Sequence, residues 1–154
     1  MANIFNDDFQ DFLKALNECQ VEYILVGGYS VILHGYSRTT GDMDIWVKKT
    51  KENYLKIGKA FRRFGMPLFD MTESNFLSNP ALDVFTFGRA PVSIDIITKL
   101  KGLEFEYAYN NASDHIVDDL TIRLINYRDL ITAKKAAGRP RDINDIENLE
   151  NSSD

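Results

Sequence analysis

Apolar Phe5, Phe9, Phe12, Leu13 and Leu16 recur at three- and four-residue intervals, which predicts an amphipathic helix with Asn6 or Asp7 as its N-cap. Val21 to Val26 is an uninterrupted apolar run and predicts a buried strand. Gly27-Gly28 ends that run, and Tyr29 to His34 predicts a short helix closed by Gly35. Met43 to Val47 predicts a second strand, with Met43, Ile45 and Val47 on one face. Tyr54, Ile57, Phe61 and Phe64 mark a second amphipathic helix that stops at Gly65-Met66-Pro67. Phe69 to Asn79 has no clear period and reads as a loop that could lie over a site. Val84 to Phe87 and Val92 to Ile97 predict a hairpin around Gly88-Arg89-Ala90-Pro91. Leu103 to Asp114 reads as loop with a short strand, and Asp119 to Leu124 as another strand. A last helical region begins at Asn126 or Tyr127, breaks at Gly138-Arg139-Pro140 and resumes at Asp142. Helices interleaved with strands make this an α/β chain, with a small mixed sheet flanked by helices.

Length adds a bound. A chain of 154 residues is read as one domain, residues 1–154 with the C-terminal helices from about 126 included; it buries about 68–70% of its unfolded surface. No apolar run approaches the roughly 20 residues that span a bilayer. Met1 to Gln10 has neither a basic start nor an apolar stretch, so no export signal is expected there. Cys19 is the single cysteine, placed near the end of the first helix, and it excludes an internal disulfide; a cytoplasmic location is the expectation. The net charge of −5 disfavours broad binding to nucleic acid. It conceals a local excess of base, seven Lys or Arg against Glu52 between Lys48 and Arg63. That stretch either steers a nucleic acid or is a solvated helix face. From Asp142 onward the chain is acidic and polar.

The candidate chemistry lies in three carboxylates. Asp42 and Asp44 project to the same side of an extended strand. Two carboxylates so close repel, and they call for a cation between them. Asp95, inside Ser93-Ile94-Asp95-Ile96-Ile97, joins them if the two strands are neighbours. Three carboxylates without His or Cys suit a hard ion such as Mg²⁺, which commonly works with phosphates. Gly27 and Gly28 mark a place where backbone turns sharply or approaches a ligand closely.

In this order and strand context the pattern resembles the nucleotidyltransferase fold of the DNA polymerase β superfamily: Tyr23-Ile24-Leu25-Val26-Gly27-Gly28, then Arg38-Thr39-Thr40-Gly41-Asp42-Met43-Asp44-Ile45, then Ile94-Asp95-Ile96. The resemblance implies a Mg²⁺-dependent transfer of NMP from an NTP, ATP among the candidates, to a hydroxyl. It implies two metals, with Asp42 and Asp44 on the nucleotide-bound ion. Asp95 would share the second ion and assist deprotonation of the acceptor. Gly27 and Gly28 would meet the β/γ-phosphates. Members often carry Ser where Gly28 stands, so the phosphate contact of that Ser would be missing here or supplied by Ser30.

Residues Asp129 to Ile146 are further similar to the tail of AbiEii-type small nucleotidyltransferases, which have a Lys on one helix and Arg-Asp-x-x-Asp on the next. By position these are Lys134, a point charge for triphosphate, and Asp142 and Asp145. Small stand-alone members commonly belong to toxin–antitoxin or phage-defence pairs. The implied partners are therefore an RNA (tRNA) or protein acceptor and a cognate partner protein, with no membrane.

Several residues keep two readings. Ser30 is a phosphate donor or a helix N-cap; Arg38 pairs with a phosphate or site carboxylate, or forms a structural salt bridge. Asp142 belongs to the site or caps the last helix and pairs with Arg139 or Arg141. Trp46 borders a base pocket or packs in the core. His34 and His115 have no metal-ligand partner at suitable spacing and read as structural or surface residues. The competing function is a catalytically inactive nucleotide- or partner-binding protein of the same fold. A Ca²⁺ site is a weaker third, since the EF-hand loop pattern is absent.

Overall fold

The structure is a computed structural model that describes residues 5–89 and 92–152. Asn6 accepts from the Phe9 amide at 2.8 Å and starts helix α1 (Asp7–Glu18), which ends at the buried Cys19. The fully apolar β1 (Tyr23–Val26) follows, and helix α2 (Gly27–Leu33) begins at the first glycine itself. Strand β2 (Asp42–Val47) leads into α3 (Lys51–Phe64), capped by Thr50 and closed by Gly65 at φ +87°. Then come α4 (Glu73–Ser78), β3 (Val84–Arg89) and β4 (Val92–Ile97). The hairpin is the one expected, although its tip residues 90 and 91 lie outside those described, as do the first four residues of the expected leaderless N-terminus. The chain continues through α5 (Phe105–Asn111), β5 (Ser113–Val117), β6 (Leu120–Leu124), α6 (Tyr127–Ala137) and α7 (Pro140–Ser152). Asn126 caps α6 and Gly138, at φ +64°, ends it.

The strands form one mixed six-stranded sheet in the order β3-β4-β2-β1-β6-β5. β2 pairs in parallel with β4 and antiparallel with β1, so it lies inside the sheet with both edges hydrogen-bonded. Register and pleat sort the side chains between two faces. On one face Ile94, Ile96, Phe85 and Phe87 lie under α3 and α4: Phe61 meets Phe12 at 5.5 Å and Phe87 at 4.8 Å, and Phe76 meets Tyr54 at 5.1 Å. The opposite face carries Asp42, Asp44, Asp95 and Trp46.

Two sequence expectations need correction. Phe69 to Asn79 is not a loop over the carboxylates. It contains α4, whose Phe76 is fully buried on the other side of the sheet. Leu103 to Asp114 is chiefly the helix α5, held by stacking of Phe105 on Tyr109 and by the edge contact of Phe105 with Trp46 at 5.3 Å. Both helices are too short for a period to show, and each is held by the packing of an aromatic, Phe76 fully buried and Phe105 half-buried, against distant parts of the fold. Trp46 is accordingly a core residue, 1% exposed. The basic α3 belongs to the face away from the carboxylates, where Lys56 pairs with Glu52 and Arg63 with Glu18. Among the described residues no helix is long and apolar enough to cross a membrane.

Phe61 bridges α1, α3 and β3, so Phe61→Ala is expected to cost about 3–5 kcal/mol in urea unfolding. Leu55→Ala, on the exposed side of the same helix, should stay within about 0.5 kcal/mol.

Candidate active site

The parallel pairing of β2 with β4 sets Asp44 directly opposite Asp95 and Asp42 opposite Ser93. The Ser93 hydroxyl donates to Asp42 Oδ1, and the Thr86 hydroxyl donates to Asp95 Oδ1 at 2.7 Å. Each hydroxyl occupies one oxygen of its carboxylate and orients the other. Asp44 and Asp95 are half-buried, whereas Asp42 is exposed. Burial first, then the charge and hydrogen bond of Asp95 and the charge of Asp42, push the Asp44 pKa up to about 7, while Lys134 draws it down.

The glycine turn lies over this pair, because Val26 is opposite Asp44 in the β1–β2 ladder. Gly27 has φ +71°, and a Cβ there would collide with the Asp44 carboxylate. A Cβ on Gly28 would collide with the Thr40 side chain. Thr40 and Arg38 therefore fill the space that a serine at position 28 would take. Ser30 does not replace that serine at the surface. It is fully buried inside α2, its hydroxyl donating to Gly27 O at 2.6 Å, and Val26 holds the N-cap position. Ser30 thus supports the turn from behind, and neither the N-cap nor an open hydroxyl describes it.

Helix α7, in the stretch the sequence showed as acidic and polar, supplies two fully buried carboxylates, Asp142 and Asp145. Asp145 takes a two-pronged bond from Arg38, Nε at 2.8 Å and Nη2 at 3.0 Å, and pairs with Lys134 Nζ at 2.9 Å. Asp142 accepts from the Arg139 amide at 3.1 Å, from its guanidinium at 2.7 Å, and from Lys134 Nζ at 3.3 Å. Burial alone would raise the Asp142 pKa, but those hydrogen bonds and the Lys134 charge hold it below the ordinary range. So the capping reading of Asp142 and the site reading are one arrangement: it closes the first turn of α7 as in a capping box while anchoring two cations.

Two adjoining cavities meet at Asp42 and Asp44. The first, about 380 Å³, is lined by Gly27, Gly28, Arg38, Lys134, Arg139 and Arg141, with Thr39 to Gly41 closing one side. The second, about 240 Å³, reaches Asp95. Neither histidine lines either cavity; His34 bonds the Ile125 carbonyl at 2.7 Å. Among the described residues no three His, Cys, Asp or Glu side chains cage a metal ion by themselves. Mg²⁺ does not require such a cage, since it binds through one or two carboxylates plus waters and phosphate oxygens. The oxygen-only donors and the crowding of Asp42 and Asp95 around Asp44 fit that ion.

Residues 7–152 match a family described as a nucleotidyltransferase of unknown function, DUF6036. The chain belongs to that family. No curated protein matches the sequence. Among solved structures the fold is similar to the lincosamide antibiotic adenylyltransferase LnuA in its lincomycin-bound form, at 16% identity and a TM-score of 0.57, covering 97% of this chain and 98% of that one. It is also similar to a Thermotoga maritima protein described as a nucleotidyltransferase, at 15% identity and a TM-score of 0.56, covering 93% of this chain and 90% of that one. These likenesses show a nucleotidyltransferase fold.

For this family member the structure brings together Asp42, Asp44, Asp95, Gly27, Gly28, Arg38 and Lys134. At the cavity it adds Thr39 and Thr40, quoted only as part of the motif, and Arg139 and Arg141, read only as partners of Asp142; behind the carboxylates it adds Thr86 and Ser93, which the sequence reading did not single out. Thr86 and Ser93 had a detectable signal, being hydroxyls on the aspartate face of the hairpin, but it becomes meaningful only once the register is known.

Two stability outcomes follow. Without nucleotide or metal, Asp44 binds its proton more tightly folded than unfolded, so its charge destabilises the fold above about pH 7 and has no such effect below about pH 4. Asp44→Asn should therefore raise stability at pH 8 by roughly 1–3 kcal/mol in urea unfolding, the gain fading as pH falls from 7 to 4. Asp145→Ala strands Arg38 and leaves Lys134 with Asp142 alone; a loss of about 3–5 kcal/mol is expected by the same measurement.

Proposed function

We propose that this family member transfers a nucleoside monophosphate from an NTP to a hydroxyl, in a reaction that depends on Mg²⁺. The observation that carries this reading is the register of Asp44 opposite Asp95, with Asp42 beside them, at the junction of a cationic cavity and a second pocket. Arg38, Lys134, Arg139 and Arg141 give the first cavity the charge to receive a triphosphate, with Lys134 and Arg38 held in place by Asp145. The glycine turn lets phosphate oxygens approach backbone that a side chain would otherwise cover.

Asp42 and Asp44 would hold the nucleotide-bound ion, and Asp95 with Asp44 a second. Bound there, divalent cations neutralise phosphate charge and activate the attacking oxygen. Asp95, exposed to the second cavity and steadied by Thr86, is the carboxylate placed to accept the proton of the acceptor hydroxyl. Lys134 and the arginines take up the negative charge that accumulates on the departing pyrophosphate. An RNA or protein acceptor, a cognate partner protein and a toxin–antitoxin or phage-defence setting rest on resemblance to small stand-alone nucleotidyltransferases. The printed description of LnuA adds the precedent of a lincosamide antibiotic for this fold. The competing reading, a non-catalytic binding protein, leaves unexplained why all three carboxylates are kept in register and backed by hydroxyls.

The test is transfer of label from each α-³²P-NTP, with Mg²⁺, into the RNA, protein and small-molecule fractions of a lysate. The Asp42→Asn/Asp44→Asn variant, checked for folding, should lose at least about a hundredfold of the labelling, and EDTA should abolish it. Nucleotide binding with labelling that the variant does not reduce would sink the catalytic reading.

A further inference from the structure

The two cavities differ in chemistry as well as position. The 380 Å³ cavity collects the basic side chains and the glycine turn. The 240 Å³ cavity shares Gly27, Asp42, Asp44, Lys134, Arg139 and Arg141 with it, but beyond this common rim its walls are aliphatic: Val84, Ile97, Leu100, Ile125, Leu130 and Ala133. It contains Asp95, which the first cavity does not. These walls come from separate places, the ends of β3 and β4, the loop after β4 that carries Leu100, the residue after β6 and helix α6, so the tertiary fold assembles them.

In phosphoryl transfer the attacking and leaving oxygens stand roughly in line across phosphorus. With pyrophosphate received by the basic cavity, the attacking hydroxyl belongs in the space that reaches Asp95, and of the two cavities the aliphatic one does so. The acceptor oxygen forms a bond to the α-phosphorus while the bond from that phosphorus to the bridging α–β oxygen breaks. The hydroxyl proton passes to Asp95, and pyrophosphate leaves with the bonding electron pair. Polynucleotide backbone would find no cation on the far walls of this cavity. Its volume lies just below the 300–1,000 Å³ typical of pockets for drug-sized ligands.

Resting on the nucleotidyl-transfer reading above, we infer that the acceptor is a small organic alcohol whose compact apolar body seats in the cavity formed by Val84, Ile97, Leu100, Ile125, Leu130 and Ala133, its hydroxyl beside Asp95. Burial against aliphatic walls would hold the body, and Asp95 would select the hydroxyl end.

Amide chemical shifts of the full chain, recorded with Mg²⁺ and benzyl alcohol as probe, test this. Benzyl alcohol should shift Ile97, Leu130 and Ala133, both alone and with each of the four α,β-methylene nucleoside triphosphates bound. Ala133→Leu fills the cavity, and Ala137→Leu narrows its mouth at an exposed position that tolerates substitution. Each should weaken the probe at least tenfold while nucleotide shifts at Gly27 and Gly28 persist. No probe shift at the cavity residues overturns the inference. Displacement of the probe by the nucleotide would make the cavity a nucleoside pocket, and displacement by tRNA would make it the seat of an RNA end; either overturns it. Absence of any nucleotide shift at Gly27 and Gly28 is a separate failure, removing the transfer reading on which the acceptor assignment stands.

Discussion

Packing Asp44 against Asp95 in the interior of a sheet is the constraint around which the rest of this molecule is arranged. The parallel β2–β4 ladder leaves neither side chain free to separate, and burial together with the charge of Asp95 raises the cost of ionising Asp44. Such a pair is eased by a retained proton and by opposing charge nearby. Here that charge comes from Lys134 on α6, a nearly buried lysine that would itself be unfavourable without its bonds to Asp142 and Asp145. The two C-terminal helices are therefore part of the same electrostatic construction as the central strands.

That construction also separates tasks. Asp145 fixes Arg38 and Lys134, and Asp142 fixes Lys134 and Arg139, so cations with partners of their own stand around the basic cavity, which also holds Asp42 and Asp44. A site preorganised in this way meets charge as it develops, without rearranging side chains at the moment of reaction. The second cavity has no comparable cation supply on its far walls. The asymmetry between a basic side and an aliphatic side gives the site a direction.

The extent to which the sequence revealed this varies by element. Asp42, Asp44 and the two glycines were legible because alternation and glycine punctuation are local rules, operating over two to four residues. The helix over residues 7–18, strands β1 to β4 and β6, and the break at Gly138 were legible for the same reason, whereas the edge strand β5 (Ser113–Val117) was not. Helices α4 and α5 were not either, because each is a single turn or two whose stability comes from packing Phe76 or Phe105 against distant residues. Ser30 looked like a cap because its distance from the glycines suited one; the helix in fact starts at Gly27 and encloses it.

By itself the sequence determined the α/β class, the order of glycine turn, paired aspartates and third carboxylate, and a resemblance to nucleotidyltransferases that family membership bears out. Only the tertiary structure decided that Asp95 stands opposite Asp44, that Asp142 and Asp145 face inward on buried cations, and that the basic helix α3 lies behind the sheet. Spacing along a chain reports which side chains share a face of one element. Pairing register, the side of the sheet a helix covers and the partner of a buried charge are relations between elements far apart in sequence, and no local period encodes them.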